Sequence, residues 1–178
     1  MKHKLLLIYS WFIKTLFLLL PDTPLLMKLR GYFYSIGMKA CGKNLQVAAS
    51  ANLRGIENII CGNNVYIGPN ACIFSRLSVI IQDEVLVAMN TVVIDSNHGK
   101  ENNSYRYARG RTQEIIIGKG AWIAANAVIT AGSQIPAGTI VPPCTVVRYH
   151  NTLPILKKTP KKIIINSFMS ELNRIFKL

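Results

Sequence analysis

Acidic residues are scarce in this sequence, with 8 Asp and Glu against 21 Lys and Arg, and the formal net charge is +13. Charged residues make up only 16% of the 178 residues, whereas hydrophobic residues make up 50%. A disordered chain combines low hydrophobicity with its net charge, so this composition predicts a buried core. The length suits one domain of about 100–200 residues and excludes a large multidomain protein.

Cysteine is also scarce. The 4 cysteines show no C-x-x-C spacing, which argues against a zinc site or a redox motif. A chain this long and apolar does not need a disulfide framework. We therefore expect reduced thiols that pack as small hydrophobic side chains in a cytoplasmic protein.

The basic residues are concentrated at the two ends of the chain. Residues 1–43 contain seven basic residues and one acid, a net charge of +6, and residues 148–178 contain the same numbers. Residues 44–147 contain seven basic and six acidic residues, a net charge of +1. Aromatic residues do not alternate with the basic ones as they do on a base-stacking surface, so nucleic acid is not an expected partner.

The N-terminal segment contains an apolar run at residues 5–20, interrupted by Ser10, Lys14 and Thr15. This run is shorter than the roughly 20 residues of a membrane-spanning helix, and no small-residue cleavage site of a signal peptide follows it. His3, Ser10 and Lys14 fall near one face at helical spacing, and the wide apolar remainder predicts a helix lying in a membrane interface. A helix buried against the protein or a partner subunit is the alternative.

Two further helices are predicted at the ends of the chain. Asp22 and Thr23 are placed to cap a helix that begins at Pro24 and ends near Gly37. The Thr-Pro pair at 159–160 repeats this pattern and predicts a C-terminal helix after a basic linker, within residues 151–178. One face of the first of these helices is apolar: Leu25, Leu26, Leu29, Phe33 and Ile36.

An aliphatic residue recurs at every sixth position through the second half of the chain. The unbroken series is Ile117, Ile123, Ile129, Ile135, Val141 and Val147. The same spacing occurs earlier in Val47 and Leu53, in Cys61, Ile67 and Ile73, and, after a slip of two residues, in Ile81, Val87 and Val93. A period of six matches neither a helix nor a simple alternating strand. It predicts a solenoid whose coils each contain three short strands, with stacked coils sharing one core.

This pattern resembles that of the hexapeptide-repeat acyltransferases, whose repeats form a left-handed parallel β-helix. The resemblance covers residues 44–150. Within this family, the sequence more specifically resembles the sugar O-acetyltransferases of bacterial polysaccharide gene clusters, which are relatives of the galactoside and maltose acetyltransferases. Two segments carry the narrower match: residues 94–99 (IDSNHG), similar to D-x-N-H-G, and residues 117–126 (IGKGAWIAAN), similar to I-G-x-x-x-W-I-G-x-N. The fold expected is mainly β, a left-handed parallel β-helix between an N-terminal helical segment (1–43) and the C-terminal linker and helix (151–178).

A polar loop interrupts the repeat at residues 95–114, and such insertions are usually functional. His98 stands at its root, and a histidine can take a proton from an alcohol near neutral pH. The resemblance implies that His98 is the general base for a sugar hydroxyl, with Asp95 and Asn97 orienting the imidazole or the acceptor. Plain turn residues are the alternative for both. Trp122 is implied to line the active site, as a possible oxyanion donor beside backbone N–H groups, and packing between subunits is its alternative.

Acetyl-CoA is the co-substrate that the resemblance implies. It places six residues of the later coils beside CoA: Trp122, Ala124, Ala125, Pro143, Arg148 and Tyr149. Ala124 replaces the usual Gly, and Pro143 has no N–H to donate. No phosphate-binding loop is present, so Lys157 and Lys158 are candidates for the CoA phosphates, with a solvated basic linker as the alternative. One histidine within the repeats does not supply the cluster that binds metal in hexapeptide-fold carbonic anhydrases, so no metal is expected.

The function predicted is direct transfer of an acetyl group from acetyl-CoA to a sugar hydroxyl of a bacterial surface polysaccharide, such as O-antigen or capsule, or of its lipid-linked precursor. The family implies a homotrimer with active sites between neighbouring β-helices. The expected location is the cytoplasm, peripheral on the inner face of the membrane. N-acyl transfer to an amino sugar and a non-catalytic scaffold at the membrane are the alternatives.

Overall fold

The structure is a computed structural model, and it describes residues 2–149. Two helices open the chain, α1 (Lys2–Phe17) and α2 (Pro24–Gly37), and seventeen short strands follow. Neither helix is long and apolar enough to cross a membrane. Predictions for residues 150–178, which include the C-terminal helix, lie outside the described residues.

Fifteen of the strands form three parallel sheets of five strands each. The first sheet contains β1 (Ala40–Cys41), β4 (Ile59–Cys61), β7 (Val79–Ile81), β12 (Ile115–Ile117) and β15 (Gln134–Ile135). The second contains β2 (Gln46–Val47), β5 (Tyr66–Ile67), β8 (Leu86–Val87), β13 (Trp122–Ile123) and β16 (Ile140–Val141). The third contains β3 (Asn52–Arg54), β6 (Cys72–Phe74), β9 (Val92–Ile94), β14 (Val128–Thr130) and β17 (Val146–Val147). One strand from each sheet makes a coil, so the molecule is a parallel β-solenoid of five coils.

The core confirms the period of six. Every aliphatic residue and the cysteine of the predicted series is buried, from Val47 to Val147. Each inward residue stacks on its equivalent in the next coil, as Ile67 does on Val87. The neighbouring strands are hydrogen-bonded along the whole stack, so the coils share one continuous core as predicted.

The slip in the repeat has a single structural origin. Ile60 pairs with Ile80, whereas Ile116 pairs with Gln134, so an early coil is longer than a late one by the length of the slip. The additional residues lie where the chain passes from the third sheet to the first sheet of the next coil, a connection called here the third corner. In the first coil this corner contains a short 3-10 helix, Ile56–Asn58, and in the second it is residues 75–78.

The other corners repeat one backbone conformation. The stacked residues Asn64, Glu84 and Gly120 all have positive φ, at 56°, 61° and 67°. The left-handed region costs most residues energy but is tolerated by Asn and free for Gly. This requirement explains the Asn and Gly residues at the turns of the predicted repeat.

The two helices form a cap over the first coil. Thr23 caps α2 by accepting a hydrogen bond from the Leu26 N–H, and α2 ends at Gly37, both as predicted. The face of α2 that packs on the solenoid is not the predicted apolar one: it contains Met27, Arg30, Gly31 and Tyr34. A Cβ on Gly31 would lie 1.9 Å from the Leu45 carbonyl oxygen, so glycine permits this close approach.

Arg30 joins the cap to the solenoid although it is buried. One guanidinium nitrogen donates to the Asp22 carboxylate at 2.7 Å and to the Val47 carbonyl at 3.2 Å. The other donates to the carbonyls of Leu20 and Pro21. These partners offset the cost of removing the charge from water.

Candidate functional site

The loop at residues 95–114 forms a hairpin at the third corner. Its strands β10 (Ser96–Asn97) and β11 (Arg111–Thr112) pair antiparallel. At the tip, Asn102 and Asn103 both have positive φ, which suits a tight hairpin turn. The loop therefore replaces the short turn that earlier coils have at this corner, and it projects from the solenoid there.

Two glycines bring the hairpin strands together beside His98. A Cβ on Gly99 would lie 2.3 Å from the Arg109 carbonyl oxygen, and one on Gly110 would lie 2.4 Å from the Asn97 carbonyl oxygen. Either substitution would push the strands apart. The glycine that follows the histidine in the predicted motif thus holds the backbone from which His98 projects.

Asp95 is fully buried and its carboxylate faces the third corner of the preceding coil. It accepts hydrogen bonds from the Ser75 hydroxyl at 2.9 Å and from the backbone N–H groups of Arg76, Leu77 and Ser78 at 2.7–2.9 Å. None of these bonds goes to His98. Asp95 therefore positions the root of the hairpin through the backbone, which is closer to the turn-residue alternative than to a partner of the imidazole.

His98 is exposed at the wall of a cavity of about 530 Å³, referred to here as the histidine cavity. Helix α1, the outer face of the third sheet and the hairpin all contribute to it. Asn97 lies in the same wall. The cavity also contains four residues not singled out as site residues in the sequence: His3, Arg54, Arg76 and Arg106.

The solenoid register explains how these residues meet. Arg54, Phe74 and Ile94 are stacked neighbours on the third sheet, each one coil from the next, just below the hairpin. The spacing of the early coils was the signal in the sequence that could have placed Arg54 near His98. His3 reaches the cavity because α1 packs across the first coil, where its imidazole pairs with Glu57.

A second depression, of about 580 Å³, lies on the other side of the hairpin and is referred to here as the distal depression. Asn97 borders both spaces. Arg148 and Tyr149, two of the predicted CoA-binding residues, line the distal depression together with Arg111 and Gln113. The structure therefore brings three predicted site residues together here, with His98 on the opposite side of Asn97.

The remaining predicted residues lie elsewhere on the solenoid. Trp122 is 45% exposed on the outer face of the second sheet, between Leu86 and Ile140. Residues 124–125 and Pro143 lie at the corner between the second and third sheets, where Ala124 is buried and Pro143 exposed. None of them lines the histidine cavity within one chain. Lys157 and Lys158 lie outside the described residues.

Two further observations concern metals and thiols. Within residues 2–149, no group of three His, Cys, Asp or Glu side chains is arranged to hold a metal ion. The 4 cysteines are free thiols. A hydrogen bond with Cys41 and burial both raise the pKa of the Cys61 thiol, and the same hydrogen bond lowers the pKa of Cys41.

Comparisons with solved structures identify the fold. A hexapeptide-repeat acetyltransferase from Vibrio cholerae, in complex with acetyl-coenzyme A, matches 82% of this chain and 77% of its own with a TM-score of 0.68 and 19% identity. A galactoside acetyltransferase in complex with coenzyme A matches 79% and 74% with a TM-score of 0.61 and 22% identity. A point mutant of the N-acyltransferase AntD from Bacillus cereus, in complex with coenzyme A and dTDP-4-amino-4,6-dideoxyglucose, matches 78% and 92% with a TM-score of 0.51 and 19% identity.

The protein thus has the fold of the hexapeptide-repeat acyltransferases, which confirms the fold predicted from the period of six. Neither a scan of protein-family models nor a search of curated proteins finds a match to the sequence.

Proposed function

We propose that this protein is an acetyl-CoA-dependent O-acetyltransferase that acts on a sugar hydroxyl. The observation that carries the proposal is the position of His98. It lines a cavity of about 530 Å³, and its neighbour Asn97 also borders the distal depression. The fold binds acetyl-CoA or CoA in the solved neighbours. Cavities of about 300–1,000 Å³ are typical of small-molecule sites.

In this mechanism the acceptor occupies the histidine cavity and the donor reaches it from the distal depression. The His98 imidazole removes the proton of the sugar hydroxyl while the hydroxyl oxygen attacks the thioester carbonyl. The tetrahedral intermediate collapses with loss of the CoA thiolate, which takes the proton back from the imidazolium. The products are the O-acetyl sugar and CoA, and no acyl-enzyme forms.

Asn97 is placed to contact both substrates because it borders both spaces. Arg148 and Tyr149 would then contact the donor. The guanidinium of Arg148 supplies positive charge for a CoA phosphate. With this assignment, the cation for the donor, Arg148, is separate from the arginines that line the histidine cavity.

Trp122, Ala124, Ala125 and Pro143 join the site only if a second copy of the chain supplies them, so the proposal includes the homotrimer. The support is an apolar stripe on the second sheet: Leu86, Trp122 and Ile140 are adjacent and 40–46% exposed. A neighbouring copy would cover this stripe and bring the Trp122 indole toward the cavity of the next chain. Ile140→Glu should dissociate the trimer, which sedimentation measures, and should abolish acetyl transfer in turnover assays. Gln134→Glu is the control: it changes an exposed residue on another sheet and should leave the trimer intact.

The helical cap supports a peripheral contact with an anionic membrane. Helix α1 buries Ser10, Ile13 and Phe17 against the protein, so Ser10 does not lie on an exposed polar face with His3 and Lys14 as predicted. The opposite face exposes large apolar side chains: Leu5, Ile8, Trp11, Phe12 and Leu16, each at least 55% exposed. Exposed apolar rows flanked by lysines, such as Lys4 and Lys28, suit an interfacial helix on anionic lipid.

Vesicle binding tests this contact. The wild-type chain should co-sediment with vesicles containing anionic lipid, and Ile8→Ser with Trp11→Ser should reduce the bound fraction severalfold without altering the melting temperature. A matched pair on another surface, Leu77→Ser with Met89→Ser, serves as control. Equal binding of both double variants would refute the membrane contact. The proposed location is accordingly the cytoplasmic face of the bacterial membrane, where lipid-linked precursors of O-antigen or capsule are available as acceptors.

The central experiment measures acetyl transfer by His98→Ala. We expect turnover with acetyl-CoA and the acceptor to fall by about 10²–10⁴-fold, the usual contribution of a general base, while CoA binding remains. Arg109→Ala is the matched control, because Arg109 belongs to the same hairpin but lines neither the histidine cavity nor the distal depression, and its turnover should stay near that of the wild type. Near-wild-type turnover by His98→Ala would overturn the mechanism, and a wild-type chain that fails to bind CoA would point instead to a scaffold.

N-acyl transfer to an amino sugar is the second candidate, because AntD, one of the structures similar to this chain, is an N-acyltransferase. The same base serves both reactions. Matched acceptors that differ only in an amine or a hydroxyl at the reacting carbon separate the two: exclusive acylation of the amine would replace the O-acetyl assignment.

A further inference from the structure

The histidine cavity contains three arginines from three different segments. Arg54 ends a strand of the third sheet, Arg76 lies at the third corner above it, and Arg106 belongs to the hairpin. Across residues 2–149, no acidic side chain lines this cavity. The space beside His98 is therefore strongly positive.

The nearby carboxylates are occupied elsewhere. Asp95 is buried and bonded to residues 75–78, and Glu57 pairs with His3. In the described part of the chain, the ion pairs of the arginines comprise only that of Arg30 with Asp22. Arg54, Arg76 and Arg106 thus have no carboxylate partner within residues 2–149.

Two of the guanidinium groups lie over aromatic rings. Arg54 lies over the Phe74 ring, with its central carbon 5.6 Å from the ring centroid, and Arg106 lies over the Tyr107 ring at 5.7 Å. Stacking of this kind restrains the side chain while its N–H groups remain available. A planar guanidinium matches the two oxygens of a carboxylate or a phosphate, with which it forms charge-assisted hydrogen bonds.

We infer that the acceptor carries an oxyanion, a phosphate or a carboxylate, which Arg54 and Arg76 bind while His98 acts on a neighbouring hydroxyl. The inference rests on the proposed function and narrows its substrate class to acidic or phosphorylated sugars. The proposed function places the donor beside Arg148 and Tyr149 in the distal depression, which leaves the arginines of the histidine cavity available for the acceptor.

Helix α1 contributes both to the histidine cavity and to the exposed apolar surface that is proposed to contact the membrane. His3 and Leu7 line the cavity, whereas Leu5, Ile8 and Trp11 on the same helix are exposed on the surface. A sugar whose phosphate lies close to a lipid chain would place its anion in the cavity and its apolar portion along α1. This arrangement favours phosphate over carboxylate as the natural group.

Binding to the full-length protein tests the inference without requiring turnover. The probes are glucose 1-phosphate, glucuronic acid and the neutral methyl glucoside, titrated by calorimetry in the presence of CoA. We expect one of the charged sugars to bind at least tenfold more tightly than methyl glucoside. The double variant Arg54→Gln with Arg76→Gln should abolish that preference, since each charge-assisted hydrogen bond accounts for about tenfold or more in affinity.

Arg109→Gln is the matched control, because Arg109 belongs to the same hairpin but its side chain lines neither the histidine cavity nor the distal depression. It should retain the wild-type preference. The result also distinguishes phosphate from carboxylate: the charged sugar that the double variant no longer binds more tightly than methyl glucoside carries the group that the arginines recognise.

Three outcomes would overturn the inference: equal binding of charged and neutral sugars by the wild type, an unchanged preference in the double variant, or a loss of CoA affinity in place of sugar affinity. The last would assign the arginines to the donor phosphates. If instead charged sugars bind through these arginines but no acetyl group is transferred, the proposed function fails and the anion site remains.

Discussion

The solenoid and its helical cap are stabilised in different ways. In the solenoid each coil repeats the same inward aliphatic residue, and the neighbouring coils satisfy its backbone hydrogen bonds. In the cap, one buried arginine joins the segment between the helices to the first coil, and much of the apolar surface of the helices stays exposed. A repeated core tolerates variation in any one coil, whereas the cap depends on a few individual contacts. We therefore expect that the solenoid and the proposed membrane surface can be disrupted separately.

The cap and the solenoid meet at the third corner. It is a short turn in the first two coils and the hairpin with His98 in the third. The cap contributes His3 and Leu7 to the cavity beside this hairpin. Mutations at this corner and in the cap therefore test whether the solenoid and the cap are stabilised independently.

Asp95→Ala should have the largest effect on stability. It leaves three backbone N–H groups and a hydroxyl without their acceptor, and each buried donor left unpaired costs about 1–3 kcal/mol. We expect the free energy of unfolding to fall by about 4 kcal/mol in denaturant titrations, with loss of activity. Asp83→Ala is the control, because Asp83 accepts its hydrogen bonds from Asn63 at the exposed surface. An equal fall in the free energy of unfolding for the two variants would show that the buried carboxylate contributes no more to stability than the exposed one.

Arg30→Met should come next, at about 3 kcal/mol, since it removes four hydrogen bonds of a buried guanidinium, one of them to the partly exposed Asp22. The effect should be local: hydrogen exchange should quicken in α1 and α2 while the amides of coils three to five stay protected. Lys28→Met, an exposed change on the same helix, is the control. Uniform loss of protection through all coils would contradict the separation of cap and solenoid.

Glu84→Asn should stabilise the solenoid slightly. Glu84 has a φ of 61°, at a position where its stacked neighbours are Asn64 and Gly120. Replacing a residue strained in the left-handed region should raise the free energy of unfolding by about 0.5 kcal/mol. Its ion pair with Lys119 is more than half exposed on both sides and contributes little. Glu114→Asn provides the control at a position without positive φ, and a fall in stability specific to Glu84→Asn would reject the prediction.

The cysteines should show the smallest effect, visible only in reactivity. Thiolates react with iodoacetamide, and a raised pKa reduces the thiolate fraction at a given pH. Because Cys61 is buried and its pKa is raised, whereas the pKa of Cys41 is lowered, labelling at mildly alkaline pH should modify Cys41 and the exposed Cys144 before Cys61. Peptide mass spectrometry in the native state measures the order, and the unfolded protein, in which all four should react alike, is the control.

The sequence by itself determined the solenoid, because its inward residues recur at fixed spacing and each strand is specified locally. It also determined where α2 begins and ends, through the Thr-Pro cap and the final glycine, and where the repeat is interrupted. It predicted His98 and Asn97 at one site because they are adjacent in the chain. These features depend on short-range patterns that a linear sequence displays directly.

Only the tertiary structure decided which distant residues surround His98. Arg54 and Arg76 reach the cavity because the early coils are equal in length and stack in register, and His3 reaches it because α1 packs across the first coil. The direction of the Asp95 carboxylate, the burial of Arg30 and the position of Trp122 on another sheet likewise depend on contacts between segments far apart in the chain. No local periodicity encodes such contacts, since they follow from how the coils and helices pack on one another.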